Sequence, residues 1–208
     1  MITLCDIGNT SYHFLKGDVS FKKSVNDFDP RLLEDEVFYI SVNSEVNKTL
    51  KYLKNWIDIS SHIDMDDFYE TMGIDRVVAS KAIDNGVIVD AGSAITVDVI
   101  KDGIFQGGFI YPGVNAMNKT YKDISDALSY EFNFECDMDK LPKNSQDAIS
   151  YGFLKTLQRE VLSYNMPIIL TGGDADKFKK IFVDAEVDEI LIFKGMKKLL
   201  SPYFNDKS

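Results

Sequence analysis

Val87-Ile88-Val89-Asp90-Ala91-Gly92-Ser93-Ala94-Ile95-Thr96-Val97-Asp98 reads as two β-strands joined by a tight turn. The first run is apolar and β-branched, the composition of a buried strand. Asp90 ends that strand, and the small residues Ala91-Gly92-Ser93 that follow let a backbone come close to a ligand. Ser93 adds a hydroxyl to its N–H. Thr96 and Asp98 share one face of the outgoing strand, and the pattern assigns them no role. Working outward, Ile2-Thr3-Leu4-Cys5-Asp6-Ile7-Gly8-Asn9-Thr10 repeats the order strand, Asp, Gly, hydroxyl residue, strand. A single such turn is explained as well by an ordinary hairpin whose Asp and Gly serve turn geometry. Two in one chain suggest a duplicated module with two facing phosphate loops.

The rest of the chain fits around that pair. Residues 2–25 read as a meander of three strands. Asp29-Pro30 opens a short helix, Pro30 taking its first position. A strand over 38–42, a helix over 45–56 with Val46, Leu50 and Leu53 on one face, a short strand over 57–59 and a helix over 75–83 complete a first half. Residues 64–72 read as a weak helix or a loop. Asp84-Asn85-Gly86 is the candidate boundary, so the expected domains are residues 1–85 and 86–208. The second half repeats the first in outline: strands over 87–92, 95–101 and 104–111, with Lys101-Asp102-Gly103 as a hairpin turn. Then come a helix over 114–128, an irregular stretch over 129–144, and a helix over 146–164 capped by Ser145 with Ile149, Phe153, Leu157 and Val161 inward. A strand over 166–170, a helix over 175–184, a strand over 187–193 and a helix over 196–204 end the chain. Three antiparallel strands followed by alternating helices and strands, twice over, make an α/β architecture of mixed sheets, with a ligand cleft expected between the halves.

Composition narrows the function. The chain has 208 residues, 45% hydrophobic and 27% charged, as in ordinary globular proteins. Its formal net charge of −10, with no basic cluster, makes it a poor partner for nucleic acid. Anionic ligands stay open, because backbone N–H groups bind phosphate without net charge. No signal peptide and no membrane span are expected, and the two cysteines, Cys5 and Cys136, read as buried thiols of a reducing compartment. The expectation is a cytoplasmic protein. His13 and His62 lack partners at metal-ligand spacing, which argues against zinc, and the G-x-x-x-x-G-K-[ST] phosphate loop is absent.

Four constellations carry chemistry. In phosphoryl transfer the protein mainly positions reactants and neutralises charge. Turn N–H groups hold phosphate oxygens while an adjacent carboxylate holds a cation or its water shell, which suits Asp6, Gly8, Asn9 and Thr10 on one side and Asp90, Gly92 and Ser93 on the other. Thr171-Gly172-Gly173-Asp174 is a strand-to-helix turn whose glycines let a flat ligand such as adenine lie on the backbone. Gly73-Ile74-Asp75-Arg76 sets a carboxylate beside a guanidinium. Arg grips a carboxylate through two parallel bonds, and Asp can take a proton from an alcohol. The plainer alternative is a helix capped by Asp75 with Arg76 in solvent.

With Gly107-Gly108-Phe109-Ile110-Tyr111-Pro112-Gly113 added, these motifs occur in an order that resembles the type III pantothenate kinase family of the acetate and sugar kinase/actin superfamily. The resemblance implies a duplicated ribonuclease-H-like, actin-like ATPase fold, a homodimer, and ATP-dependent phosphorylation of pantothenate, the first step toward coenzyme A. It implies that Asp6, Ile7, Gly8, Asn9, Thr10, Ser11, Tyr12 and His13, joined by Ser93, bind ATP, which brings a divalent cation, magnesium. Asp75 would be the general base, Gly73, Ile74, Asp75, Arg76 and Ser145 would contact pantothenate, and Asp90 would bind a monovalent cation, potassium or ammonium. The family usually has Thr where Ser93 stands. Its Tyr seven residues before the Gly-x-Asp-Arg motif falls on Asp66 here, with Tyr69 out of register. The chain is short for the family, with trimmed loops expected around 60–72 and 129–144. Readings from other classes are a non-catalytic nucleotide-binding regulator, or a phosphatase, on the same fold.

Overall fold

The computed structural model describes residues 2–205. The opening strand β1 (Thr3–Ile7) pairs antiparallel with β2 (Ser11–Lys16), which pairs antiparallel with β3 (Val19–Ser24). On its other side β1 pairs parallel with β4 (Val37–Ser41), and β4 with β5 (Trp56–Asp58). The sheet order is β3-β2-β1-β4-β5. The second sheet uses β6 (Gly86–Ala91), β7 (Ala94–Lys101), β8 (Ile104–Pro112), β9 (Ile168–Thr171) and β10 (Glu186–Val187), in the order β10-β9-β6-β7-β8. Matching first strand to first strand makes the two orders identical, with the same antiparallel and parallel pairings. The duplication read from two turns is a duplication of whole mixed sheets.

Alternation along the strands assigns each face. In the first sheet Cys5, Ile7, Tyr12 and Phe14 join Val37, Tyr39 and Trp56 in one core with helix α1 (Ser44–Leu50), leaving Asp6 and His13 on the opposite face. That face is packed by helices α2 (Ile74–Ser80) and α6 (Leu191–Asn205). In the second sheet Val87, Val89, Ala91, Ile95, Val97 and Val99 pack against helix α4 (Ser145–Ser163) and the short helix α5 (Ala175–Lys179). Helix α3 (Val114–Ile124) sets Met117 and Tyr121 on the edge of that core. Ile149, Phe153, Leu157 and Val161 of α4 are buried as their spacing predicts, and Cys5 and Cys136 are buried free thiols. Asp102 and Gly103, with φ of 53° and 74°, form the hairpin turn between β7 and β8.

Several boundaries move. The helix expected over 45–56 stops at Leu50, because the chain must turn to lay Trp56 into the core as the start of β5. The helix expected over 114–128 breaks at Ser125, whose extended backbone separates α3 from a 3-10 turn over Asp126–Leu128. The helix expected over 175–184 ends at Lys179. The strand expected over 187–193 is the clearest miss: only Glu186–Val187 pairs, and Leu191 opens α6. The segment from Ile190 onward groups with the first compact unit, which runs to Ile83, while Asp84–Glu189 forms the second. A single cut after residue 85 therefore leaves the last helix with the wrong half. Among the described residues no helix is long and apolar enough to cross a membrane.

Candidate active site

The first loop is a four-residue reversal between the paired Ile7 and Tyr12, closed by a 3.0 Å bond from the Gly8 N–H to the Ser11 carbonyl. Asn9 and Thr10 are exposed at its tip and Asp6 is half-buried beside it. Asn43 ties the loop to α1. Its Oδ1 caps the helix by accepting from the Glu45 and Val46 N–H groups at 3.1 Å, while its Nδ2 donates to the Gly8 and Asn9 carbonyls at 3.4 Å. Not every residue of the expected ATP segment turns its side chain to the loop. Ile7 and Tyr12 are sealed in the core, Tyr12 edge-on to Phe28 with a 4.9 Å centroid separation. Burial, with the charges of Cys5 and Asp29, pushes the Tyr12 hydroxyl up to about 12. His13 packs edge-on to Phe193 of α6 at 4.7 Å and shares a 2.7 Å hydrogen bond between Nε2 and Ser20 Oγ. Burial first, and Lys22 second, lower it to about 4. His13 is thus uncharged near neutral pH and brings no cation to a phosphate.

The Gly73-Ile74-Asp75-Arg76 motif opens α2, and each residue has a local reason. Gly73 occupies the capping position without a side-chain bond, and a Cβ there would come within 2.5 Å of Asp75 Oδ1. Glycine makes room for the carboxylate to fold back, where Oδ1 accepts the Arg76 N–H at 2.8 Å. The alternative in which Asp75 caps the helix and Arg76 faces solvent does not hold. Asp75 is half-buried in the first turn, and Arg76 is only 6% exposed. The guanidinium is held by Tyr69: Nη1 donates to the tyrosine hydroxyl, and Cζ lies 5.8 Å from the ring centroid. Asp66, the position where the family Tyr was expected, is exposed.

The second loop is one residue tighter, with three residues between the paired Ala91 and Ile95 and a 3.0 Å bond from the Gly92 N–H to the Ala94 carbonyl. Ser93 is exposed at its tip. Two glycines brace it. A Cβ on Gly113, which begins α3, would stand 2.6 Å from the Gly92 carbonyl oxygen, and one on Gly172 would stand 2.7 Å from the Ala91 carbonyl and press on Asp90 Oδ1. Gly172 also has a φ of 89°, which side-chain-bearing residues rarely adopt. The Asp174 N–H closes the arrangement by donating to the Ala91 carbonyl at 2.9 Å. The Thr171-Gly172-Gly173-Asp174 turn and the Asp90 loop are therefore one packed unit. Thr96 stands directly opposite Asp90 across the β6–β7 ladder, and Asp98, 2% exposed, stands opposite Ile88.

Ser145 is the exposed first residue of α4, and Asn144 supplies the cap expected of it. Asn144 Oδ1 accepts the Asp147 N–H at 2.9 Å, and its Nδ2 donates to Asp147 Oδ2 at 2.7 Å. Asn133 Nδ2 donates to Asp147 Oδ1 at 2.8 Å, and the Asn133 N–H donates to buried Ser150 Oγ at the same distance. The Asn144 and then the Asn133 donors hold the Asp147 carboxyl below the usual carboxylate range. This network fastens the irregular 129–144 stretch to the helix that presents Ser145.

Sequence reasoning passed over Asn43 as a loop brace, Tyr69 as a partner of Arg76, and Gly113 as a brace of the second loop. Asn43 had a signal, a cap residue directly after a strand. Tyr69 stands seven residues before Arg76, and Gly113 belongs to a different element from the loop it braces, relations that no local pattern announces. Among the described residues no group of three or more His, Cys, Asp or Glu side chains is arranged to hold a metal.

A profile of the type III pantothenate kinase family matches residues 30–164. The chain is 60% identical over 197 residues to a Sulfurimonas denitrificans type III pantothenate kinase, covering 95% of this chain and 96% of that one. It is 40% identical over 199 residues to the Campylobacter jejuni type III pantothenate kinase, with 95% of each covered. The shortness of this chain is thus shared by these relatives. Among solved structures, a Campylobacter jejuni protein described as a Baf family transcriptional activator is 38% identical with a TM-score of 0.89, 98% of this chain and 99% of that one being covered. A Sinorhizobium meliloti protein described as a 2-dehydro-3-deoxygalactonokinase shares the fold alone, at 9% identity and a TM-score of 0.57 over 97% and 96% of the two chains.

Proposed function

The chain belongs to the type III pantothenate kinase family, and from that premise we propose how its residues divide the phosphorylation of pantothenate by ATP, the entry to coenzyme A synthesis. Asp75 acts as general base on the pantothenate hydroxyl, and Arg76 grips the pantothenate carboxylate through two parallel bonds. The observation that carries this reading is the opening turn of α2: Gly73 leaves space for the Asp75 carboxylate while Tyr69 aims the Arg76 guanidinium. The Asp6–Thr10 turn and Ser93 bind ATP phosphates through N–H and hydroxyl groups, with Ile7, Tyr12 and His13 contributing backbone. Asp6 is the carboxylate that would stand by a magnesium ion arriving with ATP. Asp90, braced by Gly172, would hold the monovalent cation. Bound cations supply positive charge to the transferring phosphoryl oxygens. Ser145 contacts pantothenate from the start of α4, and the protein acts as a homodimer.

The test is Asp75→Asn. Turnover of pantothenate with ATP and potassium should fall by about 10²–10⁴ while nucleotide affinity changes little. Retained turnover would remove Asp75 from the base role. A second reading, a nucleotide-binding regulator, draws on the Baf family description of the Campylobacter jejuni structure. The net charge of −10 weighs against direct DNA contact. ATP binding without turnover of pantothenate in the unmodified protein would favour that regulator.

A further inference from the structure

We propose that Asn43 is a positioning residue for ATP: its side chain holds the carbonyls of the first loop away from the phosphates, so that the N–H groups of Asn9 and Thr10 face the phosphate oxygens. The inference rests on the reading of the Asp6–Thr10 turn as a phosphate loop.

Parallel pairing brings Asn43 to that loop. β1 and β4 leave the sheet at the same end, with Ile7 opposite Ser41, so the residues just past β4 stand beside those just past β1. Val42 extends the pairing by donating its N–H to the Ile7 carbonyl at 3.0 Å, and Ser41 Oγ accepts the Asn43 N–H at 3.1 Å. The half-buried Asn43 amide is then used at both ends. Oδ1 accepts the Glu45 and Val46 N–H groups, and Nδ2 donates to the Gly8 and Asn9 carbonyls at 3.4 Å. With donors on one side and carbonyls on the other, the network itself decides which end of the amide is which. Capping α1 needs only the oxygen; the nitrogen serves the loop.

Peptide geometry carries this tie to the opposite side of the loop. In a planar trans peptide the C=O and N–H point in opposite directions. The Gly8 carbonyl shares its peptide with the Asn9 N–H, and the Asn9 carbonyl with the Thr10 N–H. Two carbonyls converging on Asn43 therefore direct two successive N–H groups away from it, at the exposed tip. Neither N–H has a hydrogen-bond partner among the described residues. Successive N–H groups attract an anion, whereas a carbonyl oxygen turned the same way would repel it. The second unit holds its own loop from the same topological place. There β9 runs parallel to β6 as β4 does to β1, and just past β9 the Asp174 N–H donates to the Ala91 carbonyl at 2.9 Å. A carbonyl brace after the parallel neighbour strand thus occurs in both halves, made by a side chain in one and by the backbone in the other.

The experiment measures ATP and adenosine binding by calorimetry, and KM for ATP and pantothenate, in the unmodified protein, Asn43→Ser and Asn43→Ala. Serine caps a helix about as well as asparagine and adds no charge, but its single O–H cannot serve two carbonyls. Alanine loses the cap and the tie together. ATP affinity should fall about three- to tenfold in both variants, as expected for the loss of weak neutral hydrogen bonds, with the ATP KM rising in parallel. Adenosine, which has no phosphate, should bind within about twofold of its original affinity, and the pantothenate KM should stay within the same range. In isotope-labelled unmodified protein the Asn9 and Thr10 amide resonances should shift with ATP and stay in place with adenosine. A loss of ATP affinity confined to Asn43→Ala overturns the inference, since Asn43 is then a helix cap and nothing more. An equal loss for adenosine overturns it too, because the disturbance is then not specific to phosphate. If ATP leaves both amides unmoved in the unmodified protein, the phosphate-loop reading fails and takes this inference with it. If ATP shifts both and Asn43→Ser binds it as tightly as the unmodified protein, this inference alone fails.

Discussion

His13 illustrates how a residue can sit in a ligand-binding segment and serve the fold instead. Its ring lies between Phe193 and Ser20, and burial lowers its pKa from 6.5 to about 4. A group whose folded pKa is depressed favours the folded state above its unfolded pKa. That contribution is lost as pH falls from about 6.5 toward about 4, because the unfolded chain binds the proton more readily. The loss approaches about 3 kcal/mol once pH passes below the folded value. His13→Asn should therefore flatten the acid limb of stability between pH 6.5 and 4, measured as urea midpoints against pH. An unchanged limb would assign the acid sensitivity to carboxylates such as Asp147. The local sequence shows His13 three residues after the candidate phosphate turn Asp6–Thr10, but only its register against Asp6 and the packing of Phe193 reveal which way the ring goes.

At the scale of elements, α6 is the clearest case of packing overriding local preference. Val187-Asp188-Glu189-Ile190-Leu191-Ile192-Phe193 has the apolar, β-branched content of a strand, yet only its first residue pairs. The helical alternative wins because Leu191, Phe193, Met196 and Leu200 are all buried when α6 lies on β1 and α2. Gly195 permits that close crossing: a Cβ there would reach 2.8 Å from the Val78 carbonyl carbon and press on its oxygen. Alanine ordinarily improves a helix interior by up to about 1 kcal/mol relative to glycine. Here the overpacking against α2, typically about 1–3 kcal/mol, should outweigh that gain. Gly195→Ala is expected to lower stability by about 1–2 kcal/mol, read from the urea midpoint at constant slope. Because α2 begins with Asp75 and Arg76, a loss of pantothenate turnover larger than the loss of folded fraction should accompany it. A stabilised Gly195→Ala protein would mean that the two helices separate without cost.

For the whole molecule, the return of the chain to its first unit matters more than the boundary near residue 84. Unit one is assembled from the first 83 residues and the last helix, so it cannot be finished until the second unit has been made. A chain ending at Glu189 would lose the burial of Leu191, Phe193, Met196 and Leu200. At about 1.5–3 kcal/mol each this sums to about 6–12 kcal/mol, comparable with the total stability of a typical domain. Such a truncation should be insoluble or lack cooperative unfolding, tested by circular dichroism across a urea titration. A truncated protein that unfolds cooperatively at the midpoint of the full chain would show that α6 contributes little.

The two strand-turn-strand signatures, the α4 apolar spacing, the Asp102-Gly103 hairpin and the ordered motifs were legible because each depends on neighbours a few residues apart: strand alternation, helical spacing and turn chemistry are local. By itself the sequence thus determined the duplicated mixed-sheet architecture and the family. The tertiary structure decided where α6 belongs, which of Asp6–His13 turn inward, and that Gly113 and Gly172 brace the second loop. Those outcomes rest on contacts between distant segments, where burial of apolar side chains and satisfaction of buried polar groups outweigh the local preferences that a sequence displays.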